Sequence, residues 1–109
     1  MKTGIELIAE ERERQVTVEG WHPGHDDAHT NGEMAGAAAC YAIEDLRITS
    51  DSLSALVRST TRQLWPWAPH WWKPKSRIEN LVRAGALIAA EIDRLKRKAA
   101  TDAKEGTKP

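Results

Sequence analysis

Ser76-Arg-Ile-Glu-Asn-Leu-Val-Arg-Ala-Gly-Ala-Leu-Ile-Ala-Ala-Glu-Ile-Asp-Arg-Leu95 decides the fold class of this chain. Ile78, Leu81, Val82, Gly85, Ile88, Ala89, Ile92 and Leu95 return at the three-and-four spacing of a single α-helical face, which predicts a long amphipathic helix with that face inward. Ser76 and Glu79 form a capping box that opens it. A second stripe, Arg77, Asn80, Ala84, Leu87, Glu91 and Arg94, runs beside the first. An ordinary solvated face would carry Glu79–Arg83 and Glu91–Arg94 ion pairs. Alternatively, Arg77 and Asn80 occupy the first turn, where free amides and the positive helix end favour an anion. Arg83 is one residue off this stripe and can reach the same region.

Working outward, Thr3-Gly-Ile-Glu6 is another capping box. It starts a first helix that is expected to run to about Val18, burying Ile5, Ile8, Ala9 and Val16 before Gly20 and Pro23 stop it. Thr30-Asn-Gly-Glu33 reads as a third box, opening a helix from Glu33 to about Leu46 that is rich in alanine. Ser50 or Asp51 caps a helix bearing Leu53, Leu56, Val57 and Leu64. No segment alternates as a strand. The expectation is an all-α bundle of about four helices in one domain, 1–98, with a flexible tail over 99–109.

Two connectors carry the chemistry. The first, Glu19 to Glu33, holds His22, His25, His29, Asp26, Asp27 and Trp21, with almost nothing aliphatic. Loops that do not pack tend to be sites. Its histidines and aspartates could supply nitrogen and oxygen ligands to a zinc- or manganese-type ion, contact a non-metal ligand, or cap local amides. The second connector, Trp65-Pro-Trp-Ala-Pro-His-Trp-Trp-Lys-Pro74, forbids regular helix through its prolines. Its indoles can cover a core or, with His70, Lys73 and Lys75 interleaved, form a platform for a base and its phosphate. In the first helix, Glu10 and Glu13 make an E-x-x-E step that could hold Mg²⁺ or pair with Arg12 and Arg14.

Charge is segregated. Residues 1–45 carry three basic against ten acidic residues, a net −7; residues 46–109 carry thirteen against six, a net +7. The acidic half and the zero total oppose a duplex nucleic-acid track. The halves are expected to pack together or to pair between copies. An alanine-rich helix in so short a chain also points to a homo-oligomer. Cys40 alone rules out an internal disulfide, suits a reducing compartment and reads as a buried thiol. Without a secretory signal or a membrane-length apolar run, the expected location is the cytoplasm.

Taken together, Glu10-x-Arg-x-Arg-Gln15, Glu19-Gly-Trp-x3-His-Asp-Asp-x-His29, Gly32-Glu-x-Ala, Ala38-Ala-Cys-Tyr-Ala42, Trp65-Pro-Trp, Trp71-Trp-Lys-Pro74 and Asn80-Leu-Val-Arg-Ala-Gly-Ala-Leu-Ile-Ala-Ala-Glu-Ile-Asp-Arg94 resemble small phage and prophage accessory proteins. The resemblance spans nearly the whole chain except 46–64 and the tail. It implies an accessory role in the cytoplasm of the bacterial host cell and no particular chemistry. His25-Asp26 also resembles the paired residues of HD-type phosphohydrolases. The chain is further similar to MazG-like pyrophosphohydrolases, all-α enzymes with an E-x-x-E helix followed by E-x-x-D. Glu10 and Glu13 match the first half, while Glu91-Ile-Asp93 is one residue short of the second.

Three functions follow as expectations. The first is a binder that sequesters a nucleotide-derived defence signal, using Trp21, His25, Asp26, Asp27, His29, Trp71, Trp72, Lys73, Arg77, Asn80 and Arg83, with no catalytic residue. The second is a Mg²⁺- or Mn²⁺-dependent pyrophosphohydrolase; the metal candidates across these readings are Glu10, Glu13, His25 and Asp26. The third is an inhibitor docking on a host enzyme through exposed Trp and Arg. All three leave one spatial requirement: the two connectors must meet near the start of the last helix.

Overall fold

In the computed structural model, residues 1–44, 46 and 50–106 are described. They contain α1 (Gly4–Thr17), α2 (Pro23–Asp27), α3 (Glu33–Ile43), α4 (Asp51–Leu64), a 3₁₀ turn (Pro69–Trp71) and α5 (Arg77–Gly106), with no strand among them. The fold is an all-α bundle. None of the described helices is long and apolar enough to cross a membrane.

Local caps act where the sequence placed them. The Thr3 hydroxyl accepts from the Glu6 amide while Glu6 accepts from the Thr3 amide. Ser50 accepts from the Leu53 amide and Ser76 from the Glu79 amide. The box expected at Thr30 does not form. Gly32 is the N-cap in a left-handed conformation at φ 76°, which glycine adopts without penalty, and the Glu33 carboxylate turns back to the Asn31 amide and His29 instead. The first connector is not all loop either, because Pro23 at a helix start supports the short α2. Residue 45, inside the span expected for the second long helix, and 107–109 at the end of the tail lie outside the described residues; α3 itself ends at Ile43.

Helix α5 is the spine, about 45 Å long at 1.5 Å per residue. Helices α3 and α1 pack on it, α2 touches it, and α4 rests on α3. It continues past Ala99, where the tail was expected to begin, through Ala99, Ala100 and Ala103, with a Lys98–Asp102 pair at 2.8 Å one turn apart. The radius of gyration is 16.2 Å, against about 13 Å for a compact chain of this length.

The core inverts the expected face of α5. Ala84, Leu87 and Ala90 are buried against Met34, Ala37, Ala38 and Tyr41 of α3, and Ala86, Asn80, Glu91 and Arg94 are buried as well. Ile78, Leu81, Ile88, Ile92 and Leu95 lie outside. The physical reason is backbone approach: alanine facing alanine lets two helices close in, and bulky aliphatics at those positions would hold them apart. Glu91 and Arg94 enter this face as an ion pair at 2.6 Å, so neither charge is buried alone. On α1, Gln15 is the buried side chain and Ile5 is exposed, contrary to the aliphatic face expected there. Ile8 lies over Gly85, where a Cβ would come within 2.5 Å of its Cδ1. That contact explains a glycine in mid-helix, at a propensity cost of about 1 kcal/mol. Cys40 is buried, and that burial pushes its thiol pKa up.

Candidate functional site

Both connectors meet over the second turn of α5 and enclose one cavity of about 410 Å³. That volume falls within the range of small-molecule sites. Trp21, His25 and His29 come from the first connector, Trp65, Trp67, Ala68, Trp71 and Lys73 from the second, and Tyr41, Arg83 and Leu87 from the helices beneath. Helix α1 adds Glu11, Arg14 and Gln15, and Glu19 follows it.

An unbroken chain of rings joins the connectors. Trp21 stacks parallel to His25 at 5.5 Å between centroids, His25 meets His29 edge-on at 5.0 Å, and His29 tilts against Trp67 at 5.3 Å. Trp67 then meets Trp65 at 5.4 Å, and Trp65 packs on Tyr41 and Trp72. Edge-to-face and tilted pairs of this kind stabilise by about 0.5–1.5 kcal/mol each beyond buried area. Trp21, Trp65, Trp67 and Trp72 also pack on the core, so the indoles serve the bundle and the cavity together. The buried Trp67 Nε1–H has no acceptor among the described residues.

Charge is polarised across the cavity. At one wall, Arg14 is committed to carboxylates: Nε and Nη2 donate to Glu11 and Nη1 to Glu19, at 2.7–3.0 Å. These hydrogen bonds raise the Arg14 pKa further above its ordinary value. At the other wall, Arg83 Nη1 donates to the Tyr41 hydroxyl (3.2 Å) and the Lys73 carbonyl (3.0 Å), leaving Nε and Nη2 without partners among the described residues. The Lys73 ammonium lies 5.8 Å above the Trp71 ring. Lys73 and Arg83 thus form a cationic end beside a mainly aromatic box.

Glu11 titrates against its neighbours. Burial alone raises its pKa, but the hydrogen bonds and charge of Arg14, the Gln15 amide and the charge of Arg83 outweigh that and hold it below the usual 4.5. A carboxyl depressed on folding stabilises the fold fully above its unfolded value and loses that contribution as pH falls through the lower folded one. Urea midpoints should therefore fall on acidification below about pH 4.5, and Glu11→Gln should flatten that part of the profile. An unchanged slope in the variant would remove Glu11 from the account.

Not every residue singled out from sequence reaches the cavity. Trp21, His25, His29, Trp71, Lys73 and Arg83 line it. Asp26 is 1 % exposed and bound by Arg12 at 2.6 Å, while Asp27 pairs with Arg97 at 2.7 Å. Trp72 packs behind the cavity on Tyr41. Asn80 is buried and fixes the second connector, accepting from the Lys75 amide at 2.7 Å and donating to its carbonyl at 3.2 Å. Arg77 is exposed and does not line the cavity, whereas Arg83, six residues further along α5, does. Of the metal candidates, His25 and Asp26 touch, Nδ1 to Oδ1 at 3.1 Å, but Asp26 is also held by Arg12, Glu10 pairs with Lys2 and Glu13 is exposed. Among the described residues, no group of three His, Cys, Asp or Glu side chains is placed to hold a metal ion. Glu11, Arg14, Gln15, Glu19, Tyr41, Trp65 and Trp67 were not singled out as ligand contacts. For the two tryptophans the signal existed, since they belong to the same indole cluster; for Tyr41 and the α1 residues only the packing of α1 and α3 supplies it.

Comparison with protein-family models, with curated proteins and with solved structures finds no match. The reading of the cavity therefore rests on its own chemistry.

Proposed function

We propose that this chain is a small nucleotide-binding protein that retains its ligand intact. The base would lie among Trp21, His25, His29 and Trp67, and the phosphate would take the free edge of the Arg83 guanidinium together with Lys73. The supporting observation is the polarised cavity, with aromatic walls from both connectors, one cationic end and a second wall where Arg14 is neutralised. Aromatic faces stack on any base, and a guanidinium fork suits a phosphate oxygen pair. Together with the likeness to phage accessory proteins, this chemistry suggests sequestration of a nucleotide-derived defence signal in the host cell.

Calorimetry with mono-, di- and cyclic nucleotides, followed by denaturation and chromatography of the released ligand, tests this reading. Saturable one-site binding with the nucleotide recovered unchanged is the expected result. Turnover that requires added Mg²⁺ or Mn²⁺ would instead establish the hydrolase, and no heat from any nucleotide would leave the cavity to a different ligand class.

A further inference from the structure

The outward face of α5 carries an exposed aliphatic stripe. Ile78, Leu81, Gly85, Ile88, Ile92 and Leu95 follow a 3-4-3-4-3 spacing, the a and d positions of a heptad repeat. The five aliphatic side chains are between 47 and 67 % exposed. The stripe runs about 26 Å along the helix at 1.5 Å per residue. Ile8 of the chain's own α1 sits at Gly85, and aliphatic residues stay exposed on either side of it; exposed apolar patches of this kind mark interfaces.

We infer that this stripe is covered by the same stripe of a second copy, making the protein a homodimer zipped along α5. Two features of the chain select that occupant. First, the exposed aliphatic residues keep this spacing over nearly three heptads, a register in which the same stripe of a second α5 can seat its side chains between them. Second, the charges are complementary between copies. The N-terminal half carries net −7 and the C-terminal half net +7. Within one chain Arg97–Asp27 joins the halves, but Lys2–Glu10, Arg12–Asp26, Arg14–Glu11 and Lys98–Asp102 each stay inside one. A second copy can set its acidic α1 against the basic end of α5. The gap at Gly85 in the seam is occupied by Ile8 from the chain's own α1, so both helices contribute to the surface.

Sedimentation of the full chain at micromolar concentration should give a mass twice the 12.2 kDa of one chain. Ile88→Glu and Ile92→Glu should each shift it to monomer, with helical circular dichroism retained. Ile92→Gln provides a milder version should a charge disturb folding, and Ile92→Leu should remain dimeric. Asp93→Lys, exposed beside the stripe, should not dissociate it. A wild-type monomer overturns the inference, as does a dimer that survives both glutamate substitutions. Nucleotide titration of the monomeric variants reads the cavity separately, since none of these positions lines it.

Discussion

Arg12→Ala is expected to destabilise the fold by about 3–5 kcal/mol, the cost of leaving a buried carboxylate without its counter-charge. Asp26 is 1 % exposed and the Arg12 side chain 17 %, with Nη2 donating to Oδ2 at 2.6 Å. Arg12 Nη1 also reaches the Gln15 amide oxygen at 3.5 Å, tying the pair to the one fully buried side chain of α1. The pair anchors α2 to α1, and α2 carries His25, so the loss should reach the cavity as well. Replacing both partners together, Arg12→Met with Asp26→Leu, should recover most of the stability, because no charge is then left orphaned. Urea denaturation of the three proteins checks this. A loss below about 1 kcal/mol in Arg12→Ala would place the pair among ordinary surface bridges.

Arg83→Ala should weaken nucleotide binding by about 10- to 100-fold, the range expected for removing a charge-assisted hydrogen bond of about 1.5–3 kcal/mol. The residue has two duties. Nη1 holds the second connector through Tyr41 and the Lys73 carbonyl, and the side chain also lines the cavity. Arg83→Lys keeps the charge but loses the planar fork, so it should recover part of the affinity and little of the connector's order. Tyr41→Phe separates the duties: it removes one tie on Arg83 and leaves the guanidinium in place. The expected ranking of affinity is wild type, then Tyr41→Phe, then Arg83→Lys, then Arg83→Ala. Equal affinities across the series would move the phosphate away from this wall.

Each of these predictions depends on a contact between residues far apart in sequence, and such contacts divide what could be read early from what could not. The capping residues Thr3, Ser50 and Ser76 were legible because a cap is made within four residues. The ligand-type residues of both connectors were legible by composition, since His, Trp and Lys stand there without aliphatic neighbours. That Asp26 would be spent on Arg12, fourteen positions away, and Asp27 on Arg97, seventy away, was not. Neither partner carries a local sign of its choice.

The amino-acid order by itself determined that this chain is helical, where three of its helices begin, and which two connectors concentrate polar and aromatic residues, because propensity, capping and prolines act over one or two turns. Only the tertiary structure decided which stripe of α5 faces inward. Two stripes share the same heptad spacing, and hydrophobicity favours Ile78, Ile88, Ile92 and Leu95. The bundle instead buries Ala84 and Ala90 against Ala37 and Ala38, because close approach of two helix backbones depends on small facing side chains. That choice turns Arg83 toward the cavity and leaves the aliphatic seam outside.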